Sequence, residues 1–300
     1  MKILNKKDSN PRDPDVVFYQ GKYYTLFSQD NCLWMRVTDN LEDILTAKKQ
    51  LVYVPEDEYF CSIWAPELHI INNKPYIYVT MAKEIRGTQH MFVLSSDTGM
   101  ITGPYKKISY IKHADDAWAI DATIIRYNND LYYAYSAFGK YDGEVYQALY
   151  IAKMKNPYSL DGEAHLLTKS EYDWEKHGCD GDKRPYVTEG PHAVYHNNEI
   201  YIVYSASGCW TDYYCLGLLK FKGGDMLDKN NWEKYHQPIL DNSSGFVGPG
   251  HASFIQNNPN GIEYCAFHAF NTDSSNGEGD VSAHIYPMKW VNNIPKILIK

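Results

Sequence analysis

Asp13-Pro14-Asp15-Val16-Val17-Phe18, Gln20-Gly21-Lys22 and Tyr23-Tyr24-Thr25-Leu26 form a unit that recurs along the chain. Its plan is a polar start, a short hydrophobic strand, an Asn/Gly/Asp turn and an aromatic strand. Ala65-Pro66-Glu67-Leu68-His69-Ile70, Asn72-Asn73-Lys74 and Tyr76-Ile77-Tyr78 repeat it. Asp121-Ala122-Thr123-Ile124-Ile125 repeats it before Asn128-Asn129-Asp130 and Leu131-Tyr132-Tyr133. Gly190-Pro191-His192-Ala193-Val194 does so before Asn197-Asn198-Glu199 and Ile200-Tyr201-Ile202. His251-Ala252-Ser253-Phe254-Ile255 does so before a longer turn, Asn257 to Gly261, and Glu263-Tyr264-Cys265.

With the turns aligned, Asp13, Ala65, Asp121, Gly190 and His251 become equivalent, at intervals of 52, 56, 69 and 61 residues. Short strands bounded by turn residues indicate an all-β chain. A four-stranded propeller blade takes roughly 40–50 residues plus its loops, so five blades fill the 300 residues. The expectation is an all-β, five-bladed β-propeller forming a single domain over residues 1–300. A β-sandwich with similar hairpins is the alternative, but it gives no reason for chemically distinctive residues to recur at one phase of the repeat.

Composition narrows the function. A net charge of -8 and a pI of about 5.7 argue against nucleic-acid binding, which needs a basic footprint. No apolar run approaches the roughly 18 residues of a membrane span. The 27 Tyr and 7 Trp suit pleated strands, and they suit sugar sites, where an aromatic face meets C–H groups. Cys32, Cys61, Cys179, Cys209, Cys215 and Cys265 include no CxxC pair. Met1 to Arg12 has no apolar core of a signal peptide. The expectation is a cytoplasmic protein with reduced thiols.

In a propeller the first strand of each blade lines the axis, so the equivalent strand starts meet at one mouth. Asp13, Asp121 and His251 start such strands, and Glu189 precedes Gly190. Three carboxyl groups and an imidazole should therefore share one cleft. Clustered carboxylates raise one another's pKa, so one can stay protonated as an acid while another is ionised as a base. That is the two-carboxylate arrangement of glycoside hydrolysis. Loops after the second strands should wall the cleft: Ser28 to Asn31, Ala82 to Glu84, Phe138 to Lys140, Gly208 to Thr211 and Asn271 to Asp273. Phe138 and Trp210 are candidate sugar platforms, with packing between blades as the plainer reading. Asp180-Gly181-Asp182 has the look of a metal loop but reads better as a solvated turn.

The motifs Arg12-Asp13-Pro14, Trp64-Ala65-Pro66-Glu67-Leu68-His69, Ile120-Asp121-Ala122-Thr123, Thr188-Glu189-Gly190-Pro191 and Gly248-Pro249-Gly250-His251 resemble glycoside hydrolase family 43 over about the whole chain. The resemblance implies an inverting glycosidase with Asp13 as general base, Glu189 as general acid and Asp121 as the carboxylate that tunes the acid. It places Trp64 at the innermost sugar and His251 near a calcium or other cation in the axial channel. No cofactor is required for the chemistry. The stretches Tyr204-Ser205-Ala206-Ser207-Gly208, Tyr214 to Leu219 and Trp174 to Gly178 resemble the α-L-arabinofuranosidase branch. The implied partner is an arabino-oligosaccharide or an arabinoxylan-derived oligosaccharide, with no nucleic acid and no membrane. Related β-xylosidases carry a second β-sandwich domain, for which the sequence after the fifth repeat leaves no room. Where related enzymes place an Arg against the sugar, Ser282-Ala283-His284-Ile285-Tyr286 offers His284. A β-D-xylosidase and a sugar-binding propeller without catalysis are the alternatives. Inversion implies carboxyl groups of base and acid roughly 6.5–9.5 Å apart.

Overall fold

A computed structural model describes residues 12–84, 87–113, 117–181, 183–271 and 281–299. Residues 1–11, Asp182, Thr272 and Asp273 of the sequence reading lie outside the described residues. The chain is all-β, and no helix among the described residues is long and apolar enough to cross a membrane.

The first sheet is β1 (Asp15–Tyr19), β2 (Lys22–Gln29), β3 (Cys32–Thr38) and β4 (Lys49–Tyr53), paired in that order. The second is β5 (Cys61–Ile71), β6 (Lys74–Ala82), β7 (His90–Ser96) and β8 (Tyr105–Tyr110). A nine-stranded sheet follows. It holds β9 (Ala119–Tyr127), β10 (Asp130–Tyr141), β11 (Glu144–Asn156), β12 (Ser159–Leu160) and β13 (His165–Thr168). It continues with β14 (Tyr186–His196), β15 (Glu199–Ala206), β16 (Cys215–Phe221) and β17 (Trp232–Lys234). Two antiparallel units meet there through a short parallel pairing of β11 with β14, at Tyr146–Tyr186 and Gln147–Val187. The last sheet is β18 (Val247–Ile255), β19 (Glu263–Phe270), β20 (Val281–Val291) and β21 (Ile294–Ile297).

Each repeat read from the sequence is the opening hairpin of one unit, and the predicted turns join β1 to β2, β5 to β6, β9 to β10, β14 to β15 and β18 to β19. The apolar residues form clusters between successive units. Leu26 and Met35 pack on Ile77 and Val79, Tyr78 and Val93 on Ile124 and Tyr133, Ile151 on Ile202, and Val203 on Phe267. A further cluster sets Val16, Tyr23, Ile44 and Leu45 against Ile255, Ala266 and Ile285, so the last unit covers the first. Neither face of an isolated unit is polar enough for water. The ring of contacts hides both. Closure is also polar: Ser253 Oγ accepts the Val16 N–H at 3.1 Å and donates to the Pro14 carbonyl at 2.7 Å.

The phase noted in the sequence has a backbone counterpart. Asp13, Ala65, Asp121, Gly190 and His251 all take positive φ, at 54°, 41°, 55°, 52° and 48°. A non-glycine residue rarely adopts that region, least of all at four of five equivalent places. The pairing slips beside four of them, between Trp64 and Glu67, Glu189 and His192, Gly250 and Ser253, and opposite Asp121 between Ala134 and Ser136. Each is a bulge, which re-aims a side chain where a strand reaches a functional site.

Candidate active site

Those bulges surround a cavity of about 870 Å³, within the range of small-ligand sites. Asp13, Asp121 and Glu189 line it, from the first, third and fourth units. Trp64, Phe138, Trp210 and His251 line it as well, so the structure brings seven of the eight sequence-derived site residues together.

The eighth, His284, is elsewhere. On β20 it stands opposite Phe267, and its ring packs on Phe246 and Phe267 at centroid distances of 4.6 and 5.6 Å. Besides His251, the cavity is reached by His268 on β19. Successive residues of a strand face opposite sides, and His268 pairs with Ala283, one position from His284. His284 therefore does not take the place at the cavity that the resemblance implies.

Asp13 is held by two imidazoles. Its Oδ1 lies 3.2 Å from His251 Nδ1 and 3.1 Å from His268 Nδ1. Burial alone would raise the Asp13 carboxyl, but His251, His268 and Arg12 outweigh it and hold it well below the usual carboxylate range. Asp13 is therefore ionised at neutral pH.

Glu189 is buried. Tyr214 donates its hydroxyl to Oε1 at 2.8 Å, and Gln147 Nε2 donates to Oε2 at 2.7 Å. Gln147 is itself set by Ser136, whose Oγ accepts from Nε2 at 3.1 Å and donates to the Thr188 carbonyl at 2.8 Å. Burial pushes the Glu189 carboxyl up; His251, Tyr214 and Gln147 oppose, and the net direction is upward. Asp121 goes further in the same direction, through burial first and then the charges of Glu189 and Asp13. Asp121 and Glu189 titrate as a pair, so a proton is retained between them above the ordinary carboxylate range.

The walls carry aromatic rings. Phe138 is 46% exposed and lies 4.3 Å, centroid to centroid, from Trp118. Trp118 is anchored by its Nε1 donating to Gln89 Oε1 at 2.6 Å. Trp210, also in the wall, donates to the Gly178 carbonyl at 3.3 Å, with the Arg184 guanidinium 5.2 Å from its ring centroid. The residues present do not form a direct metal shell: among the described residues no group of three or more His, Cys, Asp or Glu side chains is arranged to hold an ion, and His251 Nδ1 faces Asp13. No step is routed through a cation.

A second layer lies two residues further along the inner strands, as a two-residue side-chain period requires. Glu67 Oε1 is 3.3 Å from His192 Nδ1 and Oε2 is 2.7 Å from His69 Nε2, while Asp15 Oδ2 accepts the Leu68 N–H at 2.8 Å. Burial would raise Glu67, but the two histidines hold it at about 2. Burial and the Glu67 charge push Asp15 up to about 7.

Sequence reasoning quoted Tyr214 without giving it a role and passed over Gln147, His268 and Trp118. The first three belong to the second or third strand of a unit or the loop before it. Tyr214 and Gln147 lie outside the opening hairpins that the repeat aligns, His268 lies on β19 past the last aligned residue, Cys265, and Trp118 precedes the aligned start of its unit.

Comparison with known proteins decides the lineage: the model of glycosyl hydrolases family 43 matches residues 8–295. The chain belongs to glycosyl hydrolase family 43. The alpha-L-arabinofuranosidase B of Pyricularia oryzae is 26% identical over 279 residues, covering 89% of this chain and 56% of the relative. An extracellular exo-alpha-(1->5)-L-arabinofuranosidase of Streptomyces chartreusis is 28% identical over 260 residues, covering 83% and 76%. The chain thus spans about half the length of the Pyricularia protein. The crystal structure of an alpha-L-arabinofuranosidase from Lactobacillus brevis superposes with a TM-score of 0.86 at 25% identity, covering 98% of this chain and 94% of that one.

Proposed function

We propose that this family-43 protein is a five-bladed β-propeller and an inverting, exo-acting α-L-arabinofuranosidase that releases terminal arabinofuranose from arabino-oligosaccharides. The observation that carries the reading is the opposite tuning of two carboxyl groups in one cavity. Asp13 is held ionised by two histidines, and Glu189 is held toward its protonated form by burial beside Asp121. The ring of five units that packs its last member on its first supports the propeller. The names of the relatives support the sugar.

In this mechanism Glu189 gives its proton to the glycosidic oxygen as the bond to the anomeric carbon breaks. Asp13 takes a proton from a water on the opposite face, and that water's oxygen forms the new bond. The transition state is oxocarbenium-like, and the anionic Asp13 lies where positive charge develops. Asp121 shares the buried site with Glu189, and both carboxyl groups are raised, so the acid keeps its proton above the ordinary carboxylate range. Trp64 borders the innermost sugar, and Phe138 and Trp210 offer faces to sugars beyond the cleaved bond.

The test is hydrolysis of a nitrophenyl α-L-arabinofuranoside and of arabino-oligosaccharides, with the product anomer followed by NMR. Release of the inverted sugar, abolished by Asp13→Ala and Glu189→Ala, is the expected result. Faster cleavage of the β-D-xyloside would overturn the sugar, and binding without cleavage would make the protein a sugar-binding module. A water-shelled cation beside His251 is a separate part of the proposal, checked by metal analysis of the purified protein. A cytoplasmic site of action is proposed on the six free thiols, and recovery of the native protein from the culture medium would overturn it.

A further inference from the structure

Tyr214 stands immediately before β16 and is fully buried, yet its hydroxyl reaches the cavity and bonds Glu189 Oε1 at 2.8 Å. Three features fix the ring. His268 stacks on it at 5.7 Å with an interplanar angle of 14°. Gly250 leaves room for it, since a Cβ there would sit 2.2 Å from its ring carbons. Ser205, whose Oγ accepts the His251 N–H at 2.7 Å, faces its hydroxyl. The same ring thus touches the acid through its hydroxyl and, through His268, the imidazole that holds the base.

We propose that Tyr214 is a positioning residue for the proton-donating Glu189, holding its carboxyl group from behind and stabilising the carboxylate that appears when the proton leaves. The proposal rests on the glycosidase reading above.

The chemistry favours this role over simple filling of the core. Gln147 takes Oε2 and Tyr214 takes Oε1, so rotation of the carboxyl group is blocked at both oxygens. The tyrosine keeps its own proton throughout, because burial and the adjacent Glu189 raise its pKa well above the ordinary tyrosine value. It therefore remains a donor. A hydrogen bond to a carboxylate is stronger than one to a neutral carboxylic acid. The Tyr214 bond thus tightens as Glu189 passes its proton to the leaving oxygen, and an interaction that strengthens along the reaction lowers the barrier. The same bond disfavours the protonated resting form. Burial and the other groups facing Glu189, namely Asp13, Asp121, His251 and Cys209, set the level on which it acts.

The experiment is a 13C-carboxyl titration of Glu189, assigned with Glu189→Gln, in the wild type and in Tyr214→Phe. Loss of the donor should move the Glu189 midpoint up by about one unit. In the same variant, turnover of an arabino-oligosaccharide should fall about ten- to hundredfold, the weight of a hydrogen bond to a charged group. Turnover of a dinitrophenyl arabinofuranoside, whose leaving group needs little protonation, should fall less than about threefold. 3-Fluorotyrosine placed at position 214 keeps the shape and strengthens the donor, so it should move the midpoint down; this arm stands if Tyr214→Phe does not fold. An unmoved midpoint, or equal losses on both substrates, overturns the proposal. A wild type that cleaves no arabinofuranoside while the midpoint still moves overturns the substrate reading and leaves the Tyr214–Glu189 coupling standing.

Discussion

Asp121 Oδ2 accepts the backbone N–H of Gly190 at 3.2 Å, which ties the carboxyl group of the third unit to the peptide adjoining Glu189 in the fourth. The contact is a mechanical link between two inner strands and an electrical one between two acids. It holds the Asp121 carboxyl group beside Glu189, as the proposed tuning of the acid requires.

Asp121→Asn should therefore move the alkaline limb of the kcat profile to lower pH. With both carboxyl groups present, the last proton of the pair is retained by like-charge repulsion as well as burial. Asparagine can still accept from Gly190 but removes the negative charge, so Glu189 loses its proton earlier. A shift of about one unit is expected, read from pH–rate profiles, and an unchanged alkaline limb would count against the shared proton.

Asp13 and Glu189 should separate by leaving group. Asp13→Ala should lower turnover by about 10²–10⁴-fold on every substrate, because water activation is always needed. Glu189→Ala should cost as much on an arabino-oligosaccharide but far less on a dinitrophenyl arabinoside. Equal losses would exchange or erase the assigned roles.

Asp15 gives a stability prediction. Its folded pKa is pushed up to about 7, above the ordinary carboxylate value, so the fold favours the protonated form. The contribution is complete below the unfolded pKa and is lost as pH rises through the folded one. Wild-type stability should thus fall between about pH 4 and pH 7 on this account. Asp15→Asn keeps an acceptor for the Leu68 N–H and cannot ionise. It should stabilise the protein at pH 8 by on the order of 2 kcal/mol or more, read as a higher melting temperature, and leave it nearly unchanged at pH 4.

Gly250→Ala is expected to damage activity and stability together. The added methyl meets the Tyr214 ring at 2.2 Å, and the ring cannot retreat from its stack on His268. Overpacking of a filled site costs about 1–3 kcal/mol. Thermal melts and kcat on an oligosaccharide should both report it.

Phe138 presents an exposed ring to the cavity. Phe138→Ala should raise KM for arabino-oligosaccharides several-fold and leave the nitrophenyl arabinofuranoside nearly unaffected, if the ring serves sugars beyond the cleaved bond. A matched rise on both substrates would place it at the innermost sugar instead.

Much of the site was legible because repetition converts sequence phase into position. Asp13, Asp121 and His251 share a phase, and Glu189 stands one residue away. The positive φ at all five equivalent residues shows that the phase is a backbone event as well as a pattern of side chains. His284 marks the limit of that logic. Strand parity decides which face a histidine takes, and it turns His284 toward Phe246 and Phe267 while His268 on the neighbouring strand reaches the cavity.

The amino-acid sequence alone determined the all-β class, the opening hairpin of each unit and the residues at its start, since turn chemistry and two-residue periodicity are local properties. Tertiary structure alone decided that the fifth unit packs on the first, that Tyr214 and Gln147 take the two oxygens of Glu189, and that His268 joins His251 at Asp13. Those outcomes depend on which faces of remote strands are buried together. Burial and neighbouring charge then shift the Asp13 and Glu189 carboxyl groups in opposite directions, and neither quantity exists until the chain has closed.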